Sequence, residues 1–140
     1  MDGRLDRKQF SKQARELVAK MTLEEKISQV LFTAPAIPRL GIPAYNWWNE
    51  ALHGVARAGV ATVFPQAISM AAAFDTELMY QVATAISDEA RANYNQYRQF
   101  GETQQYQGLN FWSPNINLFR DPRWGRGHET YGEDPYLTGR

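Results

Sequence analysis

Two stretches of this chain carry residue types that could act together on a ligand. The first is Tyr45-Asn46-Trp47-Trp48-Asn49-Glu50-Ala51-Leu52-His53-Gly54, where adjacent tryptophans stand beside an Asn and a Glu. An indole face packs on the apolar C–H face of a pyranose, while a carboxylate and an amide can each engage neighbouring hydroxyls. The pattern fits sugar recognition. It also fits a buried aromatic cluster with a capping Glu.

The second stretch runs from Asn110-Phe111-Trp112-Ser113-Pro114-Asn115-Ile116-Asn117 into Arg120-Asp121-Pro122-Arg123-Trp124-Gly125-Arg126-Gly127-His128-Glu129-Thr130-Tyr131-Gly132-Glu133-Asp134-Pro135. Between Arg120 and Asp134, three Arg meet four carboxylates. Such a loop can lock itself through Arg–carboxylate forks and offer one spare guanidinium to a ligand. A solvated, charge-rich loop is the other reading. Glu50 and His53 form a single Glu-x-x-His pair after an expected strand. A di-iron bundle needs two such pairs on helices plus two further Glu, so no metal site and no cofactor are expected.

The elements that position these stretches follow from periodicity. Phe10, Ala14, Leu17 and Val18 fall on one face of a helix from about Arg7 to Met21. Thr22-Leu23-Glu24-Glu25 fits a capping box that opens a second helix, to about Leu31. Ala34-Pro35-Ala36-Ile37-Pro38 reads as extended chain. A short strand is expected over Ile42 to Trp48. Phe64-Pro65-Gln66 opens a small helix through Ala73, with proline near its first turn. Asp75 is the expected N-cap of a long helix, Thr76 to Arg98, whose buried stripe is Leu78, Val82, Ala85 and Ile86. Leu109 to Trp112 reads as a second strand, Ser113 to Pro135 as mostly loop, and Tyr136 to Arg140 as the start of a helix. This order suggests parallel strands joined by helical crossovers, in an α/β arrangement that looks unfinished.

Bulk properties narrow the partners. The 140 residues include 15 basic and 15 acidic side chains for a formal net charge of +0, so the basic excess of a nucleic-acid binder is missing. There are no cysteines, which excludes a disulfide framework and cysteine-ligated zinc. No apolar run approaches the roughly 18 residues of a membrane span. Met1 to Arg15 is charged and polar and lacks the apolar core of a signal peptide. The expectation is a cytoplasmic protein, or one whose leader has been removed.

Taken together, the motifs resemble glycoside hydrolase family 3. Met21-Thr22-Leu23-Glu24-Glu25-Lys26-Ile27 is similar to the family's opening helix, and Trp48 to Gly54 to the loop after its first strand. Phe64-Pro65-Gln66-Ala67-Ile68 is similar to the following turn, and Asn115 to Pro135 to its arginine-rich stretch. The resemblance implies that residues 1–140 are the first part of an N-terminal (β/α)8 barrel domain, with the rest of the barrel and a second domain absent. It implies a retaining, exo-acting β-glycosidase whose substrate is a β-linked oligosaccharide or glycoside. Its nucleophile and acid/base would lie outside this chain, so no catalytic residue is expected here. The substrate-binding residues it implies are Glu50, Arg126, Trp48 and Trp112, with Asp121 and Glu129 fixing the arginine loop. The Trp48 to Gly54 stretch resembles the xylosidase-like rather than the glucosidase-like branch. Two alternatives stay open: a non-catalytic carbohydrate-binding module, and a truncated chain that self-associates through exposed barrel edges.

Overall fold

Thr22 opens a helix in the manner its neighbours dictate. In the computed structural model, which describes residues 7–101 and 103–140, its hydroxyl accepts the Glu25 N–H at 3.2 Å. The Glu25 carboxylate accepts the Thr22 N–H in return at 2.8 Å. The expectation of a charged start without a leader concerns in part residues 1–6, which lie outside the described residues.

The chain divides into two compact units, Met1–Tyr45 and Asn46–Arg140. The first holds helices α1 (Arg7–Lys20) and α2 (Leu23–Ser28), strand β1 (Thr33–Ala34) and a 3-10 turn, Pro38–Leu40. That turn is closed by Gly41 in the left-handed region, φ 67°. Arg39 donates to the Glu25 carboxylate and to the Lys20 carbonyl, joining the turn to both helices. α2 stops three residues short of the expected Leu31. On α1, Leu17 is half-buried, whereas Phe10 and Val18 remain about half exposed.

Strand β2 (Tyr45–Asn46) pairs with β1, and the division between the units falls within it. In the second unit come α3 (Ala67–Ala71), α4 (Thr76–Arg98), a 3-10 turn at Gly127–Glu129 and α5 (Pro135–Thr138). α3 is shorter than expected. Gln66 is its N-cap, which leaves Pro65 outside the first turn, and Phe74 at φ 51° prevents its continuation. α4 has the expected bounds, with Asp75 Oδ1 accepting the Leu78 N–H at 2.9 Å. Its apolar stripe is less covered than expected: Leu78 is 46% exposed, and Ala90 is the buried residue.

The two expected strands are also curtailed. Ile42 to Trp48 contributes the two residues of β2, and Leu109 to Trp112 contributes an isolated parallel bridge, Glu50 to Trp112. The cause is chemical. Side-chain amides occupy positions where a strand ladder would run: Asn110 Nδ2 donates to the Trp47 carbonyl at 2.7 Å, and Asn49 Oδ1 accepts the Gly108 N–H at 2.7 Å. The parallel direction of the bridge, with α3 and α4 between its partners, agrees with the expected crossover. The buried apolar residues of this unit are small, mainly alanines, and its largest fully buried side chains are Asn49 and Thr130. Large apolar residues such as Val60, Val63, Phe100 and Ile116 are exposed. Among the described residues, no helix is long and apolar enough to cross a membrane.

Candidate functional site

The alternation of an extended chain sorts residues 48 to 51 onto two sides. Asn49 and Ala51 are buried, whereas Trp48 is exposed and Glu50 half-buried. Trp48 and Glu50 therefore share one side, and both line an open cavity of about 540 Å³ in the second unit. Trp112 joins them through the parallel bridge. Its N–H donates to the Asn49 carbonyl at 2.9 Å, and its ring lies over that of Trp48 with centroids 6.2 Å apart and planes inclined by 20°.

Asn49 departs from the expectation that the amide of this motif meets sugar hydroxyls. It is 0% exposed. Besides accepting from Gly108, it donates through Nδ2 to the Asn46 carbonyl at 3.1 Å and to Asn110 Oδ1 at 3.0 Å. The amide fixes the two extended segments against each other, which sets where Trp48, Glu50 and Trp112 stand. His53 is likewise engaged by the scaffold. Its Nδ1 meets the Phe64 carbonyl at 2.7 Å and its Nε2 meets Gln66 Nε2 at 3.3 Å, an arrangement that fits an Nδ1–H tautomer. Among the described residues, no group of three or more His, Cys, Asp or Glu could hold a metal ion.

The arginine loop locks itself, as its composition suggests. Arg123 forks onto Asp121, with Nε to Oδ1 at 3.0 Å and Nη2 to Oδ2 at 2.6 Å. Arg120 donates to Asn117 Oδ1. Arg126 donates to Glu129 Oε2 from Nε at 2.8 Å and from Nη2 as well. Its guanidinium is held charged first by that hydrogen bond and the Glu129 charge, and further by the field of Glu50; burial opposes this. Arg126 and Glu129 both line the cavity. With two nitrogens on Glu129, the Nη1 edge is the part of Arg126 left for a ligand. Gly127 fixes the position: a Cβ there would lie 1.5 Å from the Phe119 ring, so that ring packs directly on the backbone next to Arg126. The 3-10 turn after it places Glu129 three residues on, within reach of Arg126.

Two lining residues were not singled out from the sequence. Arg57 and Tyr106 have φ values of 57° and 68°, and both border the cavity. A non-glycine residue held there costs about 1–3 kcal/mol and persists only where its surroundings impose it. No glycine, asparagine or proline marks either position, so nothing in the residue types signals the conformation. α4 secures the loop that carries Arg57. Glu89 accepts the Thr62 N–H at 2.9 Å and the Thr62 hydroxyl at 2.6 Å, and Asn93 donates to the Ala58 carbonyl at 3.2 Å.

The four implied sugar-binding residues thus line one cavity. Comparisons with known proteins agree with the motifs. The family model described as the glycosyl hydrolase family 3 N-terminal domain matches residues 12–140. A probable β-D-xylosidase 7 of Arabidopsis thaliana is 54% identical over 93% of this chain, which spans 17% of the plant protein. A xylan 1,4-β-xylosidase of Xylanibacter ruminicola is 53% identical over 88% of the chain, spanning 14% of that protein. A solved exo-β-xylosidase of the family, XlnD, in complex with a xylobiose aziridine activity-based probe, superposes with a TM-score of 0.75. It is 40% identical, with 91% of this chain and 16% of that one covered. The chain belongs to glycosyl hydrolase family 3, within whose N-terminal domain its residues 12–140 fall.

Proposed function

We propose that residues 1–140 form the first part of a (β/α)8 barrel domain in a retaining, exo-acting β-glycosidase of the xylosidase type. The chain supplies substrate-binding groups: Trp48 and Trp112 as aromatic surfaces, Glu50 as acceptor for sugar hydroxyls and Arg126 as donor. One observation carries the reading. Trp48, Glu50, Trp112 and Arg126 come from segments far apart in sequence and line one cavity. Their place after parallel-running extended segments fits the loop face on which barrel enzymes build their sites. Retention needs a nucleophile and an acid/base about 5 Å apart across the scissile bond; in this reading both come from outside the chain.

The sugar follows from bulk. Xylose lacks the exocyclic hydroxymethyl of glucose, and an indole beside Glu50 fills the space that group needs. A β-linked xyloside of two or more rings is the substrate class, a reading in line with the xylobiose-derived probe of the related XlnD. The test is the ratio of kcat/KM for aryl β-xyloside and aryl β-glucoside in the full-length protein. The expected ratio favours xyloside. A preference for glucoside above about tenfold would remove Trp48 and Glu50 as the source of specificity.

A further inference from the structure

Among the described residues, Arg57 is the cation of this cavity that forms no ion pair with a carboxylate. Arg123 and Arg126 are forked onto Asp121 and Glu129, whereas Arg57 has no ion-pair partner among the described residues. Its guanidinium instead lies over the Tyr106 ring, 5.5 Å from the centroid, with Nη1 3.4 Å from the Tyr106 hydroxyl. Both residues stand in the left-handed region, where bulky side chains are outliers.

The bonds around that pair lead to the sugar-binding residues. The Tyr106 N–H donates to the Trp48 carbonyl at 2.9 Å, and the N–H of Ala56, next to Arg57, donates to the Glu50 carbonyl at 3.0 Å. Two loops 49 positions apart are therefore tied to the backbone that presents Trp48 and Glu50. A guanidinium lying over a phenol ring keeps in-plane N–H donors for vicinal hydroxyls, a fork geometry that an ammonium cannot copy.

We propose that Arg57, carried on Tyr106, binds the second ring of the substrate, the leaving-group sugar. The inference rests on the xylosidase reading above. There, Trp48, Glu50, Trp112 and Arg126 account for one ring, and a xylo-oligosaccharide presents a second. Arg126 is already balanced by Glu129 and the field of Glu50, so Arg57 is the cationic donor of the cavity that has no ion-pair partner among the described residues.

The experiment compares xylobiose with 4-nitrophenyl β-xyloside, which has one sugar ring, in the full-length protein. Arg57→Lys and Arg57→Gly should each lower kcat/KM for xylobiose about tenfold or more, chiefly through KM. The aryl xyloside should change by less than about twofold. Arg57→Gly relieves the left-handed backbone, so its melting temperature should not fall, which separates lost binding from lost folding. Tyr106→Phe keeps the ring under the cation and should show a smaller loss on xylobiose than either Arg57 variant. Equal losses on the two substrates, or none on either, would overturn the inference and leave the xylosidase reading standing. A wild-type protein that hydrolyses neither substrate would remove that reading, and this inference with it.

Discussion

Segment 46–52 and loop 120–134 reach the same cavity by opposite means. The first is held by a neutral buried amide that bonds backbone groups, and what it exposes is aromatic surface. The second is held by charge, Asp121 gripping Arg123 and Glu129 gripping Arg126, and what it exposes is the remaining guanidinium edge of Arg126. A buried amide network is insensitive to salt, but one missing member leaves its partners unpaired. Exposed ion pairs are screened and individually weak. Two polar residues of the first motif, Asn49 and His53, belong to the scaffold. The residues proposed to meet the ligand, Trp48 and Glu50, alternate with Asn49 along the chain and line the cavity.

The largest expected effect separates both regions from catalysis. The isolated chain should release no nitrophenol above background from aryl β-xyloside or β-glucoside, because neither region supplies the two catalytic carboxylates of the proposed mechanism. It should also run larger than a monomer on size exclusion, since apolar residues such as Val60, Phe100 and Ile116 are more than 80% exposed. Turnover abolished by changing one carboxylate of this chain would overthrow the division of labour proposed here. A monodisperse monomer with a sharp melt would count against self-association.

Next in size is Asn49. Asn49→Ala leaves the buried Gly108 N–H without its acceptor, at a cost of about 1–3 kcal/mol for that group alone. Asn49→Asp keeps an acceptor but removes the donor to Asn46 and Asn110 and places a charge in a fully buried position, so it should be no better tolerated. Glu50→Gln, one residue away and half-buried, should leave the melting temperature nearly unchanged while lowering kcat/KM in the full-length protein. Equal thermal stability of the Asn49 and Glu50 variants would erase the distinction between scaffold and ligand.

Arg126 tests the charged region. Arg126→Lys loses the planar guanidinium that sets one edge on Glu129 and the other toward a sugar hydroxyl, and the loss of a charged hydrogen bond to substrate costs about 1.5–3 kcal/mol, roughly ten- to a hundredfold in kcat/KM. An unchanged kcat/KM would take Arg126 out of the substrate site.

Much of this was legible in residue order. The capping box at Thr22, the Asp75 cap and the bounds of α4 follow from local chemistry, because the groups that decide them lie within one helical turn. Asp121 and Glu129 could be read as loop-fixing because each lies two or three residues from its arginine. The strands were overextended because Asn110 and Asn49 meet across 61 positions, a distance that no local pattern reports. Arg57 escaped notice for the same reason, since its partner Tyr106 is 49 positions away.

The smallest expected effect concerns pH and the loop that carries Arg57. Glu89 accepts both the hydroxyl and the N–H of Thr62, and these bonds hold its carboxyl below the ordinary value of 4.5; the side-chain bond is the larger cause. A carboxyl whose pKa is lowered on folding stabilises the fold fully above its unfolded value. That contribution is lost as pH falls through the lower, folded value. The Thr62 staple should therefore hold at pH 6 and loosen progressively below about 4.5. Amide exchange at Thr62, corrected for the intrinsic rate, reads this directly, and Glu89→Gln should abolish its pH dependence. Glu25 provides the contrast in the first unit. Its carboxyl is also lowered, chiefly by its bond to Arg39, so its partner is a cation and its effect on the Thr22 amide should shrink with added salt. The Glu89 staple has neutral partners and should keep its protection in the same salt. Equal salt sensitivity at Thr22 and Thr62 would mean that charge, rather than hydrogen bonding to neutral groups, holds the Arg57 loop on α4.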